Sequence, residues 1–419
     1  MLRARNLTLI AGVAAAALVL SACSSKSSSS ATSSAGSAAS AASSAMSSSA
    51  PTSGAMTSGA MTSGAMTSGA MTSGAMTSGA ATSSGAATSG SATFPAMTGD
   101  PSTVKLGMAY DGPKGDQSFT DSAARGVAAA TGKGIKLVAE LAASVGEPDQ
   151  KKVDRLSQLV DQGANTIIAV GFDYAGPMGT VAAANPKVNF AIVDDSSLSD
   201  PTRKGGALKN VASLTFAAEQ SSFLVGVAAA LKSKTSHVGF IGGVNTPLIN
   251  TFQAGFDAGV KAANPSVKVD NKNITEPPDY SGFNAPDKGE TIAKGMYGGG
   301  ADIVYSAAGG SGNGVFKAAK AANKLAIGVD SDQYNLPTLA SVKSVIMTSA
   351  VKNVDVAVYN MISSVAAGKP LTGVQVYDLK NGGVGISYSG GAIDDIKSKI
   401  DDYQAKIIAG TIKVPTTLS

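Results

Sequence analysis

The feature that most constrains the fold is a regular alternation of short apolar runs with amphipathic segments, which begins at Val104. The first run, VKLGMAY at 104–110, precedes a segment of helical spacing for which Ser118 is a candidate N-cap residue. Helices between successive strands cover both faces of a sheet, so the alternation predicts an α/β fold with parallel sheets. Further strands are expected at IKLVAEL, NTIIAVG, NFAIVDD, NVASLTF, HVGFIGG, VKVDNKNI, ADIVYSAAG, LAIGVDS and SVIMTSA, and further helices at 149–163, 219–232, 249–263, 287–298, 313–323 and 352–367.

The number of predicted strands exceeds what one small sheet holds. Two architectures fit this alternation, namely two doubly wound lobes and an eight-stranded β/α barrel. The alternation by itself does not separate them.

The chain begins with a segment typical of bacterial export signals. Arg3 and Arg5 precede an apolar run from Leu7 to Leu20, which is shorter than the roughly 20 residues that span a membrane. The run ends in Leu-Ser-Ala-Cys, which resembles a lipobox, and Cys23 is the only cysteine. We therefore predict a lipoprotein signal peptide at 1–22 and lipidation at Cys23. The lipid would be the sole attachment to the cell membrane, on its extracytoplasmic face.

Residues 23–100 consist almost entirely of Ser, Ala, Gly, Thr and Met, and residues 54–78 are five copies of GAMTS. Such small side chains bury too little surface to offset the entropy of ordering a chain. We therefore predict a disordered tether over 23–100 and a folded domain over 101–419.

The composition excludes several kinds of site. One His and one Cys leave no cysteine cluster for a metal and little material for a His-based catalytic triad. The formal net charge is only +4, without a dominant basic patch, which argues against nucleic-acid binding. An exported chain without a GxGxxG motif is also a poor candidate for a dinucleotide-dependent enzyme. We expect no metal, no cofactor and no enzymatic activity.

Three segments resemble the basic membrane protein family of bacterial substrate-binding lipoproteins, which includes purine nucleoside receptors. They are GDQSFTDSAARG at 115–126, HVGFIGGVNTPLINTFQAGFDAGVKAANP at 237–265, and ADIVYSAAGGSGNGVFKAAKAANKLAIGVDSDQ at 301–333. One departure is Thr120, where the family usually has Asn, so a base preference carried over from the family is open at this position.

The resemblance implies a type I periplasmic-binding fold, with two Rossmann-like lobes, three hinge crossings and a ligand in the cleft between the lobes. We place the crossings near residues 216, 340 and 370. The first lobe would then comprise about 101–216 and 340–370, and the second lobe about 217–339 and 371–419.

Several aspartates follow predicted strands, where open α/β sheets bind their ligands. They could equally cap the helices that follow. The resemblance favours Asp116, Asp194 and Asp330 as ligand-binding residues, because a carboxylate can accept two ribose hydroxyls at once. It also implies that Lys352 bonds a ribose hydroxyl and neutralises Asp330. Asp111, Asp173, Asp195 and Asp332 occupy similar strand-end positions.

The remaining candidate ligand-binding residues are aromatic side chains, a hydroxyl and glycines. Phe119 and Phe252 match family positions in opposite lobes, where they would stack on the two faces of a flat base. Glycines in GGSGNG at 309–314 would let the backbone approach the ligand at the start of a helix. The predicted set is completed by Thr120, Phe172, Gly309 and Gly310.

The function implied is a monomeric solute-binding protein that captures a nucleoside, with a purine expected, for the permease and ATPase of an ABC importer. The same cleft could instead hold another heteroaromatic metabolite or a sugar. A surface sensor that uses the long tether is a further alternative.

Overall fold

Twelve strands and nine α-helices form within residues 93–418, which are the residues that the computed structural model describes. The strands are β1 (Lys105–Tyr110), β2 (Lys136–Ala142), β3 (Thr166–Val170), β4 (Asn189–Val193), β5 (Val211–Phe216), β6 (His237–Val244), β7 (Lys268–Thr275), β8 (Ile303–Ala307), β9 (Leu325–Asp330), β10 (Ile346–Lys352), β11 (Gly373–Tyr377) and β12 (Val384–Ile386). The helices are α1 (Phe119–Thr131), α2 (Asp149–Asp161), α3 (Ala175–Ala184), α4 (Ala218–Lys232), α5 (Pro247–Ala263), α6 (Pro286–Gly298), α7 (Gly312–Ala322), α8 (Val354–Ala366) and α9 (Lys397–Ile408).

The strands form two six-stranded sheets with corresponding strand orders. One has the order β11-β5-β4-β3-β1-β2 and is parallel throughout. The other has the order β12-β10-β9-β8-β6-β7, and only β12 runs antiparallel to its neighbour. We call the sheet that contains β1, with its helices, the first lobe, and the sheet that contains β6, with its helices, the second lobe. This arrangement confirms the predicted two-lobed α/β fold, and two open sheets exclude the barrel.

Helices cover both faces of each sheet, which explains the continuous apolar runs in the sequence. In β1, Met108 and Tyr110 join one buried cluster with residues of α1 and α8, while Ala109 joins another with residues of α2 and α3. Every residue of β6 is buried. A strand that is buried on both faces cannot alternate apolar with polar residues.

Two of the three crossings between the lobes come later in the chain than the sequence predicts. The first crossing, expected near residue 216, follows β5 of the first lobe and precedes α4, which packs in the second. The second was expected near 340, yet β10 pairs with β9 in the second lobe and the chain returns only after Lys352. The third follows β11, not residue 370, since β11 pairs with β5 at the edge of the first sheet.

The folded part begins before residue 101, so the predicted end of the tether at residue 100 is too late. Phe94 and Met97 pack against the core of the first lobe, and the Phe94 ring lies 5.0 Å from the Tyr359 ring, measured between centroids. The Asp100 backbone N–H donates to Ala366 O at 3.0 Å. Phe94 is the first aromatic residue of the chain, and its burial fixes this segment on the domain.

The predicted signal peptide, Cys23 and the GAMTS repeats lie outside the described residues. Between residues 93 and 418, no helix is both long enough and apolar enough to cross a membrane.

Candidate functional site

A cavity of about 260 Å³ lies between the two lobes, at the carboxyl ends of both sheets. The first lobe contributes Asp111 after β1, Phe172 after β3 and Asp194 after β4. The second lobe contributes Asp330 at the end of β9 and Lys352 at the end of β10. Parallel strands bring these sequence-distant positions to one edge of each sheet, where α/β proteins bind ligands.

The structure brings nine of the ten predicted ligand-binding residues to this cavity. They are Asp116, Phe119, Thr120, Phe172, Asp194, Phe252, Gly309, Asp330 and Lys352.

Gly310 is the tenth predicted residue and is not part of the cavity lining. A Cβ atom at Gly310 would lie 3.6 Å from Asp116 Cα, which belongs to the first lobe, and 3.2 Å from Asn284 Oδ1. Gly310 is therefore crowded mainly by Asn284 of its own lobe, and it does not line the cavity as predicted.

Asp194 and Asp330 occupy equivalent places in the two lobes, because β4 and β9 hold the same position in their sheets. Both have a left-handed backbone, with φ of +70° and +62°. This conformation is uncommon for residues other than glycine, and such strain concentrates at functional sites. The left-handed turn redirects the chain at the strand end, so each carboxylate is placed in the cavity wall.

Lys352 makes its ion pair with Asp194, and not directly with Asp330 as predicted. Its Nζ is bonded to Asp194 Oδ2, and both side chains are almost fully buried. The pair joins the two lobes, since Asp194 follows β4 and Lys352 ends β10. Lys352 still acts on Asp330 at longer range: burial raises the pKa of that carboxyl, and the positive charge of Lys352 opposes part of the rise.

Asp330 receives its hydrogen bond from Ser118 of the first lobe. The Ser118 hydroxyl donates to Asp330 Oδ2 at 2.6 Å, whereas no group among residues 93–418 donates to the second oxygen, Oδ1. Burial raises the pKa of Asp330 to about 6, although the charge of Lys352 and the Ser118 hydrogen bond oppose the shift. Asp330 therefore offers a buried acceptor oxygen that is available to a ligand.

Asp116, predicted to bind ligand, caps helix α1. Its oxygens accept from the backbone N–H groups of Ser118 at 3.0 Å, Thr120 at 2.8 Å and Asp121 at 3.1 Å. This is the alternative that the sequence left open for aspartates at strand ends. Ser118, the predicted N-cap residue, makes no capping hydrogen bond with its side chain.

Three aromatic rings surround the Lys352 ammonium group. Its Nζ lies 4.6 Å from the centroid of the Phe119 ring, 5.1 Å from that of Phe216 and 5.7 Å from that of Phe252. Phe119 and Phe252 belong to opposite lobes and both line the cavity. Phe252 also packs in the core of the second lobe, with its side chain 3% exposed.

Phe172 contacts an aromatic residue of the other lobe that the sequence analysis missed. Its ring centroid lies 6.1 Å from that of Tyr280, and the two planes are tilted by 56°. Tyr280 and the neighbouring Phe283 line the cavity from the segment between β7 and α6. They follow no strand directly, so the rule that identified the aspartates does not identify them.

The cavity wall is rich in carboxylates. Five aspartates line it, against two lysines, and the lysines are paired with Glu140 and Asp194. Burial, with repulsion from Asp173 and Asp116, raises the pKa of the Asp111 carboxyl well above its ordinary value. Asp173 pairs with the buried Lys152 at 2.6 Å, and its other oxygen has no partner among residues 93–418. Such a wall suits a ligand that donates hydrogen bonds and disfavours an anion.

Most of the described residues align with proteins of known families. Residues 103–417 match the Bmp family, described as PnrA-like ABC transporter substrate-binding proteins. The nucleoside-binding protein BmpA of an ABC transporter in Lactococcus lactis subsp. cremoris is 38% identical over 269 residues, which cover 61% of this chain and 72% of that protein. Basic membrane protein A of Borreliella afzelii is 30% identical over 317 residues, which cover 74% of this chain and 91% of that protein.

Solved structures show the same fold. A solute-binding protein of an ABC transporter system from Aeropyrum pernix K1 aligns with a TM-score of 0.63 at 25% identity, over 75% of this chain and 94% of that one. A solute-binding protein from Conexibacter woesei aligns with a TM-score of 0.61 at 22% identity, over 75% of this chain and 100% of that one.

Proposed function

This chain belongs to the family of PnrA-like ABC transporter substrate-binding proteins, and we propose that it captures a purine nucleoside outside the cytoplasm for an ABC importer. The observation that carries the proposal is the pairing of buried carboxylates with aromatic rings in one interlobe cavity. Asp194 and Asp330 provide acceptors for the hydroxyls of a ribose. Phe119 and Phe252 provide faces for a base.

The charges of the cavity support a nucleoside over a nucleotide. Lys114 and Lys352 are the only lysines in the wall, and each is already paired with a carboxylate. A phosphate that entered would meet five aspartates and no free cation among the lining residues. Burying an unpaired anion beside other anions is costly, so the cavity selects against phosphorylated ligands.

The relatives support the same class of ligand. The Lactococcus protein that is 38% identical is named as nucleoside-binding. A sugar would use the carboxylates but would leave the aromatic faces without a flat partner. We therefore place nucleosides before sugars and before other heteroaromatic metabolites, and we propose binding and delivery, with no chemical conversion of the ligand.

A thermal-shift screen tests the proposal, because a ligand that binds only the folded protein raises its unfolding temperature. Guanosine, adenosine and inosine are expected to raise it most, uridine less, and ribose and guanosine monophosphate little. A marked shift with a sugar or a flavin, and none with any nucleoside, would overturn the assignment.

We further propose that the protein is held at the membrane through a lipid on Cys23. This residue lies outside residues 93–418, and the proposal depends on the lipobox-like sequence that ends in the only cysteine. Replacing Cys23 with Ala is expected to release the protein from membranes or to leave its signal peptide uncleaved. Membrane fractionation and detergent partitioning measure this. Ser25→Ala, which leaves that sequence intact, is the matched control. Unchanged membrane attachment of the Cys23→Ala variant would contradict lipidation at this position.

A further inference from the structure

Phe172 and Tyr280 make an aromatic contact between the lobes at the wall of the cavity. Phe172 follows β3 of the first lobe, and Tyr280 follows β7 of the second. Their ring centroids lie 6.1 Å apart with tilted planes, which is a favourable arrangement for an aromatic pair. Both side chains are only half-buried, so the contact lies near solvent.

The contact lies farther from the crossing strands than the ion pair of Lys352 with Asp194 does, since Phe172 follows β3 and Asp194 follows β4. The chain crosses between the lobes after β5, β10 and β11, and these strands lie at one end of their sheets. Tyr280 follows β7, which is the strand at the opposite end of the second sheet. A rotation about the hinge displaces distant points most, so opening of the cleft separates this pair more than it separates Lys352 from Asp194.

The support of Tyr280 is rigid. The next glycine in its segment, Gly282, packs so closely on β6 that a Cβ atom there would lie 2.0 Å from Gly243 O. The Ser311 hydroxyl donates to Gly282 O at 2.7 Å and accepts from the Ala285 N–H at 2.7 Å. Tyr280 is thus carried by a segment that is fixed to the second lobe.

The residues on either side of Phe172 are also held in place. The preceding Gly171 has φ of +116°, and a Cβ atom there would lie 2.1 Å from Asp111 Oδ2. The following Asp173 is bonded to the buried Lys152 at 2.6 Å. Two rings on rigid supports can meet only when the lobes are closed.

We propose that Phe172 and Tyr280 form a clasp that holds the lobes closed and sets the rate of ligand release. In this proposal Phe172 contacts Tyr280, whereas the base stacks on Phe119 and Phe252. The identity of the ligand rests on the proposed function, whereas the clasp itself depends only on the contact between the lobes. Opening must break the aromatic contact, so each half of the pair is ineffective without the other.

The test compares Phe172→Ala, Tyr280→Ala and the double variant in the full-length protein. Each single change is expected to increase the rate of guanosine release about two- to tenfold, as expected from the strength of one aromatic pair. The double change should add little to either single change. Tyr280→Phe should release guanosine as the parent does, because it keeps the ring.

The matched control is a pair inside one lobe. Phe223 and Tyr403 lie 5.7 Å apart with planes tilted by 57°, and both belong to the second lobe. Tyr403→Ala removes a comparable contact without touching the closure of the cleft, so its release rate should match that of the parent. Additive effects of the Phe172 and Tyr280 changes would overturn the clasp, since they would indicate separate contacts with the ligand.

A second measurement does not need a known ligand. Spin labels at Lys151→Cys in the first lobe and Lys317→Cys in the second, both on exposed helix positions, report the distance between the lobes once Cys23 is replaced by Ser. Loss of the clasp should shift the ligand-free distances towards longer values, and Tyr403→Ala should not. Unchanged distances would refute the clasp. Failure of guanosine to bind while the distances shift would count against the proposed ligand alone.

Discussion

Asp330→Ala is expected to weaken the binding of guanosine about tenfold or more, while the binding of free guanine is affected much less. Asp330 Oδ2 is occupied by the Ser118 hydroxyl, but Oδ1 is available to a ribose hydroxyl. A hydrogen bond to a charged group contributes roughly 1.5–3 kcal/mol. Lys352 cannot substitute for the missing acceptor, because an ammonium group only donates hydrogen bonds. Calorimetry with guanosine and guanine measures both affinities.

The equivalent strand end of the first lobe provides the control for Asp330. Asp195 also follows a strand, but its Oδ1 accepts from Ser197 N at 2.8 Å and it does not line the cavity. Asp195→Ala should therefore leave guanosine binding close to that of the parent. An equal loss of guanosine and guanine in Asp330→Ala would mean that Asp330 does not contact the sugar.

The raised pKa of Asp330 predicts that its ionised form, which accepts a ribose hydroxyl, lowers the stability of the ligand-free protein. Burial raises the pKa of Asp330 from 3.8 to about 6, so the folded state holds this proton more tightly than the unfolded state does. The folded protein therefore gains stability as the pH falls from about 6 to about 4. At pH 7.5 the ionised group costs roughly 3 kcal/mol of unfolding free energy.

Asp330→Asn removes this titration and keeps an acceptor for Ser118. The ligand-free variant should be more stable than the parent at pH 7.5, and the difference should shrink towards pH 4, while guanosine binds more weakly than to the parent. Urea unfolding of both proteins at several pH values measures their free energies of unfolding. A variant that is less stable than the parent at pH 7.5 would contradict the cost assigned to the buried charge.

The strand ends could be predicted from the sequence because parallel strands carry their own signal. Apolar runs that end in Asp, such as NFAIVDD and LAIGVDS, mark both the buried strand and the position of its carboxyl end. Helix α3, by contrast, was not predicted, since AGPMGTVAAA has Gly, Pro and Ala in place of an amphipathic pattern. Strands β11 and β12 were missed because they are edge strands of five and three residues.

The partners of the charged residues could not be predicted, since they depend on the distance between lobes. Lys352 was assigned to Asp330, which lies one strand away, but its amine reaches across the cleft to Asp194. Asp116 was assigned to the ligand, although the turn before α1 places its oxygens on backbone N–H groups. Tyr280 was missed because its segment has no periodic pattern and reaches the cavity through tertiary packing. The spacing of residues predicts where strands end. It does not predict which side chains pair across the cleft, because that depends on how the two lobes close.

Phe119 and Phe252, two of the three aromatic rings around Lys352, should carry the preference for a base. Phe119→Ala and Phe252→Ala are each expected to weaken guanosine and adenosine binding at least about fivefold, because stacking on an aromatic ring contributes about 1–3 kcal/mol per base. Uridine should lose less, since a pyrimidine offers a smaller face. Calorimetry on the two single variants and the double variant measures the effects. The rings belong to opposite lobes, so either one alone stacks on one face of the base only.

Packing must be separated from stacking at these two positions, because Phe252 is 3% exposed and shares the core of the second lobe. Phe119→Leu and Phe252→Leu keep most of the apolar volume and remove the aromatic face, so they should fold as the parent does and still bind purine nucleosides more weakly. The loss should be larger for guanosine than for uridine in both variants, since the aromatic face is the only feature removed. Leucine variants that fold normally and bind guanosine as tightly as the parent would show that the rings pack the two lobes and do not hold the base. In that case the specificity for a base would have to come from hydrogen bonds made by the aspartates of the cavity wall.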